Sequence, residues 1–449
     1  MNILNYNTKK LYFRFLAFSF GSALISSLYS VVDMAMVGQY HGANGSAAMA
    51  VVAPLWNIIY SLGLLTGMGG AILWAKAKGE GKTEHERNEI FSVSMMLTGI
   101  ISLILWIIVL CFERQILVLF GATESLIDLA ESYLISVKYT IPIFLFNQAL
   151  AAFLRNDNDP GLATVGIVLG GIFNVAGDYL LVFTANMGIE GAGIATVGCN
   201  VVSLLIMLTH FLKKKNTLKI VKAKNIGYKS TRILLNGFSS FFTDTSMGIF
   251  TIIFNRQILN YFNEDALSVY GVIININTFV QCCSYGVGQA SQPLLSENYG
   301  AKQYNRVKQI LKYSLLTILV ISIVWLIPTM TAPNGFINLF MKPNDNVLKI
   351  APSIMRAYCL AFIFLPYNVF STYFFQSLTH PKFSLLVSAL RGLIISVPLL
   401  FILPSINPSF IWYTMFISEG IISIIVLIYM IKIVKELSQN NVYLQKKTS

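Results

Sequence analysis

The chain has 449 residues, of which 55% are hydrophobic and 12% are charged, and its formal net charge is +12. A soluble domain carries about 25% charged residues, so this composition leaves too little polar surface for a water-soluble globule of this size. The basic residues lie between long apolar runs rather than in one patch, which argues against a nucleic-acid-binding protein.

Long apolar runs recur along the whole chain, and each is long enough to cross a bilayer as a helix, which takes about 20 residues. We predict twelve such helices and therefore an all-α integral membrane protein. The first run is too long for the apolar core of a cleavable signal peptide, so we expect none. The predicted spans are Leu11–Val37, Ala48–Trp74, Ile90–Phe112, Tyr133–Phe153, Gly161–Phe183, Gly191–Leu212, Ile233–Ile258, Leu267–Leu294, Tyr313–Thr331, Ser353–Gln376, Ser384–Leu403 and Phe410–Ile433.

The distribution of basic residues predicts the orientation of these spans. If the N-terminus lies in the cytoplasm and the spans alternate in direction, the inner segments carry 26 of the 32 Lys and Arg residues. Cytoplasmic segments of membrane proteins are enriched in Lys and Arg. We therefore expect a multi-pass protein of the plasma (inner) membrane with cytoplasmic N- and C-termini.

The two halves of the chain are related in sequence. The segment from Gly67 to Arg87 aligns with the segment from Gly286 to Arg306 at a constant offset of 219. Six spans precede the basic segment 213–232 and six follow it, which predicts a lobe 1–212, a cytoplasmic connecting loop 213–232 and a second lobe 233–449. Because each half has an even number of spans, both copies have the same orientation, as in transporters whose halves rock about a central cavity.

Two carboxylates interrupt the apolar runs of the first half. Asp33 lies in the first span and Asp178 in the fifth, at similar distances from the outer end of each. Asn174 lies four residues before Asp178, so the two share one helix face. A charge at membrane depth costs at least about 2.5–3.5 kcal/mol, and such residues usually serve ion or substrate transport. A pair of this kind can share a proton or, with added amide and hydroxyl oxygens, bind a monovalent cation; buried acids that only support packing are the alternative.

Several motifs, taken in order, resemble the MATE (multidrug and toxic compound extrusion) transporters over nearly the whole chain. The first span ends in VVDMAMVGQYHG, the second is followed by KAKGEGK, and the eighth ends in GQASQPLLSENYGAKQYNRV. The pattern is most similar to the drug exporters of Gram-positive bacteria. The resemblance implies two six-helix lobes that extrude a substrate in exchange for protons or sodium ions. This chain lacks the proline that some members carry on the first span and the acid that some sodium-linked members carry on the tenth.

The resemblance also implies which residues couple transport to an ion. They form a polar cluster in the first lobe: Asp33 on the first span, Asn174 and Asp178 on the fifth, Thr196 on the sixth, and Gln148 or its neighbour Asn147 on the fourth, with Tyr133 nearby. If the coupling ion is Na⁺, the expected ligands are Asp33, Asn174, Asp178 and Thr196. We expect no other metal and no cofactor.

The second half lacks this pair of acids and is expected to contact the substrate. Asp244 on the seventh span and Glu419 on the twelfth are two separate acids near mid-membrane, which would attract cationic compounds. One face of the eighth span is polar and is predicted to line the cavity, with helix–helix packing as the alternative. Its members are Asn277, Gln281, Tyr285 and Gln292.

The sequence therefore predicts a monomeric secondary antiporter that exports amphipathic or cationic organic compounds, as in multidrug efflux, in exchange for H⁺ or Na⁺. A lipid-linked glycan flippase of the wider superfamily is the first alternative, but it should expose basic groups in its cavity, and only Lys138 and Arg356 come near. A membrane-embedded enzyme is the second alternative, and the spans contain no evident nucleophile or metal cluster. The chain has no phosphate-binding loop of the kind that would couple transport to ATP.

Overall fold

The computed structural model describes residues 3–341 and 343–448, without side-chain positions for Ser30, Ala43, Ser125 and residues 441–448. Helices make up almost all of this part of the chain, and it contains no strand, which confirms the predicted all-α fold class. Every predicted span lies on one of twelve long helices. In chain order these are α1 Thr8–Gly42, α2 Asn44–Gly79, α3 Glu84–Leu119, α4 Leu126–Asn156, α5 Pro160–Thr184, α6 Gly188–Leu212, α7 Ile226–Tyr261, α8 Glu264–Gly300, α9 Tyr304–Thr331, α10 Asp345–Ser377, α11 Pro381–Ile406 and α12 Pro408–Asn440.

Eleven of these helices are both long enough and apolar enough to cross a membrane, and α7 is the exception. Helix α7 has 36 residues, which corresponds to about 54 Å at 1.5 Å per residue. Its composition is more polar because Ser239, Ser240, Thr243, Asp244 and Thr245 follow one another closely. It contains the whole of the predicted seventh span and extends beyond it at both ends.

Several helices begin or end beyond the predicted limits. In α3 the extension is explained by the capping residues at its start. Helix α3 starts at Glu84, where the Thr83 hydroxyl accepts a hydrogen bond from the Glu86 N–H and the Glu86 carboxylate accepts one from the Thr83 N–H. This reciprocal arrangement satisfies two backbone donors that a helix start leaves free. Helices α1 and α2 are separated only at Gly42, whose φ of 66° is readily adopted by glycine.

The chain divides into two compact units. The first is built mainly from Ala17–Phe241, and the second from Leu4–Leu16 together with the chain from Phe242 onward. Helix α1 thus begins in the second unit and continues in the first, and α7 passes from the first into the second. The basic segment after α6 belongs to the first unit.

The second unit has an aromatic core at its centre. The rings of Phe254 and Tyr270 stack with centroids 4.5 Å apart, and Tyr358 and Trp412 pack around them. Along α9, by contrast, Leu316, Val320 and Val324 are exposed apolar side chains on one face. An apolar face of this extent is stable in contact with lipid chains, as expected of a membrane-spanning helix.

A buried histidine and two aspartates hold the start of the basic segment that follows α6. The Nδ1 and Nε2 atoms of His210 lie 3.0 Å from Asp159 Oδ2 and 2.7 Å from Asp157 Oδ2. Thr217 donates to Asp157 through its N–H and its hydroxyl, and the Lys213 ammonium donates to Asp159. Both ring nitrogens can donate only in the imidazolium form, so this arrangement favours a charged His210.

We expect Asp159→Asn to loosen this segment at neutral pH. Burial raises the pKa of the Asp159 carboxyl, but hydrogen bonds from His210, Lys213 and Lys215 outweigh burial and lower the pKa below its ordinary value. The stabilisation is therefore fully present above about pH 4, the unfolded value, and is lost only as pH falls through the lower folded value. Limited trypsin digestion at Lys214 should be slow in the parent from pH 5 to 8 and faster in Asp159→Asn. The exposed control Asp128→Asn should match the parent, and equal digestion of all three would contradict the prediction.

Candidate ion-coupling site

Helices α5 and α6 approach closely because small residues line their contact. A methyl group at Gly170 would lie 2.8 Å from the carbonyl oxygen of Cys199, and one at Gly177 would lie 3.0 Å from the Ala195 side chain. Neither position has room for a larger side chain. This close approach brings Asn174 on α5 beside Thr196 on α6.

Five of the predicted coupling residues come together in the first unit. Asp178 is fully buried and Asp33 is 6% exposed, and they lie close enough for their charges to repel. The Tyr133 hydroxyl lies 3.5 Å from Asp33 Oδ2, and the Asn174 amide nitrogen lies 3.5 Å from the Thr196 hydroxyl. The cluster therefore draws its side chains from α1, α4, α5 and α6.

The cluster has an excess of acceptor oxygens. Both carboxylate oxygens of Asp178, Oδ1 of Asp33 and Oδ1 of Asn174 are buried and have no hydrogen-bond donor among the described residues. A buried polar atom without a partner costs about 1–3 kcal/mol, and more when it is charged. Such a set of oxygens is chemically suited to take up a proton or a small cation.

Helix α5 changes its winding immediately after Asp178. The segment Pro160–Asp178 is α-helical, and Tyr179–Thr184 forms a π-helical turn. Short π-helical turns often occur at functional sites. Here the turn begins at the residue that follows the buried carboxylate.

The structure distinguishes between Gln148 and Asn147, the two alternative cluster members on α4. Gln148 packs beside Gly63 of α2, where an added methyl group would lie 2.7 Å from the Gln148 Cβ. Asn147 instead donates to the carbonyl and side-chain oxygens of Asn200, at 2.9 and 3.3 Å. Asn200 in turn donates to the backbone carbonyl of Thr196. Asn147 thus extends the cluster, and Gln148 lies outside this hydrogen-bonded chain.

Asn200 is a member of the cluster that the sequence analysis does not predict. It follows Thr196 by four residues, so the two share a face of α6. That spacing was the available signal. The partner Asn147 is 53 residues away in the chain, and a single sequence does not indicate this pairing.

The prediction that Glu419 is an isolated acid is wrong. The Arg391 guanidinium donates to both carboxylate oxygens of Glu419, at 2.8 to 3.2 Å, and both side chains are buried. Asn368 also donates to the carboxylate, at 2.6 Å, and accepts a hydrogen bond from Ser423. The physical reason is that a charge at membrane depth is costly alone and is stabilised by an opposite charge.

Arg391 is buried inside the second unit. It belongs to the π-helical turn Leu390–Ile394 that interrupts α11, and it is 1% exposed. Asp244 is half-buried, and its Oδ1 accepts a hydrogen bond of 2.7 Å from the Tyr285 hydroxyl. Asp244 is also near enough to Arg391 for their charges to attract, so it is not isolated either.

The polar face of α8 is divided between two environments. Tyr285 lies beside Asp244 and within 3.4 Å of the Gln281 side chain, and both are partly exposed. Towards the end of the helix the face is packed: an added methyl group at Gly288 would lie 2.5 Å from the Tyr373 ring, and Gln292 is buried and donates to Ser296. Asn277 is buried as well. Only the stretch around Gln281 and Tyr285 remains open as a candidate cavity lining.

An all-helical membrane protein with paired carboxylates buried in one of two units has the architecture of a membrane transporter. The MatE family model matches residues 19–180 and 238–402. This chain belongs to the MATE family of multidrug efflux transporters, whose members are transporters and not enzymes.

Similar proteins occur in Gram-positive bacteria, as the sequence motifs indicated. The multidrug export protein MepA of Staphylococcus aureus (strain MSSA476) is 23% identical over 383 residues, which cover 85% of this chain and 84% of MepA. The probable multidrug resistance protein YoeA of Bacillus subtilis (strain 168) is 22% identical over 334 residues, covering 73% of this chain and 72% of YoeA.

Solved structures agree on the fold. An outward-facing multidrug resistance MATE family transporter of the MOP superfamily superposes with a TM-score of 0.89 at 20% identity, covering 97% of this chain and 98% of the other. A MOP superfamily transporter from Pyrococcus furiosus gives the same TM-score, identity and coverage. At this identity the likeness supports the fold alone.

Proposed function

We propose that this protein is a secondary antiporter that exports amphipathic and cationic organic compounds in exchange for H⁺ or Na⁺ by alternating access. The observation that carries the proposal is the set of buried, unpartnered oxygens on Asp33, Asp178 and Asn174. A proton or a monovalent cation relieves the repulsion between the two carboxylates when it binds, and its release restores the repulsion. A site that is stable only when occupied can couple ion movement to a change of conformation.

The substrate class rests on separate support. MepA and YoeA are named for multidrug export and resistance, and Asp244, half-buried beside Tyr285, offers a carboxylate to a cationic compound. We propose that the halves 1–212 and 233–449, joined by 213–232, are the moving parts of the cycle. We further propose that the protein acts as a monomer. The ion site proposed here is built from the side-chain oxygens of Asp33, Asn174, Asp178 and Thr196. Within the described part of the chain, no group of three or more His, Cys, Asp or Glu residues is placed to hold a metal ion.

The decisive test is efflux of a cationic dye from proteoliposomes under separately imposed gradients. We expect efflux to follow a pH gradient, because two neighbouring carboxylates can share one proton. Efflux that follows a sodium gradient at fixed pH would identify Na⁺ and leave the site assignment intact. Efflux that ignores both gradients would contradict ion-coupled antiport.

The proposed orientation is a separate prediction. We place both termini and the segment 213–232 in the cytoplasm of cells that carry the protein in the plasma membrane, because 26 of the 32 basic residues then lie inside. Single cysteines introduced at Lys215 and at Asn344 of a cysteine-free variant should differ in intact cells. A membrane-impermeant thiol reagent added to intact cells should label only the cysteine introduced at Asn344. Labelling at Lys215 from outside would overturn this orientation.

A further inference from the structure

A pocket of about 270 Å³ lies in the first unit where the end of α2, the start of α3 and the start of α7 meet. Pockets that hold drug-sized compounds measure about 300–1,000 Å³, so this one is suited to a smaller group. None of the residues that line it belongs to the coupling cluster. The cationic side chains that line it are Lys76, Lys82, Lys229 and Arg232.

The carboxylates of the pocket do not neutralise all of these cations. Glu80 is shared, with its oxygens 3.9 Å from the Lys76 ammonium and 3.3 Å from the Lys82 ammonium. Arg232 lies close enough to Lys76 for their charges to repel. Within the described ranges Arg232 forms no ion pair with a carboxylate; its guanidinium lies 5.6 Å from the centre of the Tyr228 ring.

The two remaining acids of the pocket already have partners. The Glu86 carboxylate accepts hydrogen bonds from the N–H and hydroxyl of Thr83. The Glu89 carboxylate pairs with the Lys229 ammonium at 2.9 Å and accepts the Lys224 N–H. The lining thus carries one more cation than carboxylates, and among the described residues Arg232 is the cation of the pocket without a carboxylate partner.

Helix α7 adds to this surplus. It begins at Ile226, and Asn225 and Tyr228, at that helix start, line the pocket. The N-terminal end of a helix carries a partial positive charge and free N–H groups, which favour an anion.

The surroundings of the pocket fit the surface of a bilayer. Ile220 and Tyr228 are 71% and 66% exposed, and they alternate with the lysines of the segment 213–232. Exposed apolar and aromatic side chains beside lysines suit the region of lipid headgroups, where Tyr is enriched and basic residues meet anionic lipids.

We propose that this pocket binds the phosphate group of an anionic membrane lipid. Arg232 and Lys76 contact the phosphate, Tyr228 covers it from the side, and the exposed apolar residues of the loop rest on the adjoining acyl chains. The site is a lipid-binding site on the transporter, and it is distinct from substrate export and ion coupling.

The test is a binding titration of the purified full-length protein with short-chain phosphatidylglycerol. Phosphatidylcholine of the same chain length and inorganic phosphate serve as comparison probes. A basic residue near an anionic surface is worth about 1 kcal/mol, so Arg232→Gln should weaken phosphatidylglycerol binding about fivefold. Lys76→Gln is a second variant with the same expectation. Lys222→Gln removes one charge from the same segment outside the pocket lining and should bind like the parent.

Each result bears directly on the proposal. Preference for phosphatidylglycerol over phosphatidylcholine that depends on Arg232 and Lys76, but not on Lys222, supports it. Equal losses in all three variants would mean that only overall charge matters, and would overturn the pocket. Inorganic phosphate that displaces the lipid at equal concentration would assign the site to a soluble phosphate compound and overturn the lipid. Thermal unfolding of each variant ensures that a loss of binding reflects the site rather than the fold.

Discussion

Asp33→Asn and Asp178→Asn are each expected to give a folded transporter that binds its substrate but no longer moves it against a gradient. A neutral amide fixes the cluster in a state like the protonated one, so the ion can no longer drive the conformational cycle. Because losing one partner of a buried charge pair costs about 2–5 kcal/mol, binding of the coupling ion should weaken by at least about 30-fold. Gradient-driven dye efflux and substrate binding, measured on the same preparations, separate the two functions.

The same two substitutions should not be additive. Both carboxylates belong to one buried cluster in the first unit, and either single change already removes the shared site, so the double variant should be no worse than the more impaired single one. Glu190→Gln, which removes an exposed acid at the start of α6, is a matched control and should transport normally. Near-normal efflux in the single variants, or a double variant far below both, would show that the acids act independently.

The two acids and the twelve helices could be predicted from the sequence because their signals are local. A carboxylate inside an apolar run is visible in one sequence, and so is the four-residue spacing between Asn174 and Asp178. The apolar runs themselves set the number and order of the helices. The first residue of α3 was harder to predict from the sequence, because the capping pair Thr83 and Glu86 starts the helix within a polar stretch, before the apolar run.

The partners of these residues were harder to predict because they depend on which helices pack together. Asn147 and Gln148 are adjacent in sequence, and only the packing of α4 against α2 and α6 decides which of them meets Asn200. Arg391 and Glu419 lie 28 residues apart on different helices. Their pairing had one usable signal: an Arg and a Glu within the apolar spans of one half are each too costly to remain unpaired.

Substitutions in the ion pair of Arg391 and Glu419 are expected to have a large effect on the stability of the protein. Removing one partner of a buried pair leaves the other charge uncompensated and typically costs about 3–5 kcal/mol, whereas replacing both with apolar residues of similar size is often nearly neutral. Arg391→Met and Glu419→Met should each lower the stability of the protein by about that amount. The double variant should recover most of the loss, because Asn368 is then the one hydrogen-bonding partner left without the carboxylate.

Thermal unfolding of the four proteins in the same detergent, treated as a double-mutant cycle, measures this coupling. Lys382→Met is a suitable control, because it removes a cation near the start of the same helix α11, where the side chain is exposed. If the single variants unfold like the parent, the pair contributes nothing to the fold. If instead they remain stable but export cationic and neutral compounds in altered proportion, Glu419 faces the substrate after all, and its pairing with Arg391 is a resting arrangement that the substrate displaces. Loss of stability in the single variants, with recovery in the double one, identifies the pair as a structural element of the second unit and leaves Asp244 as the acid available to a cationic substrate there.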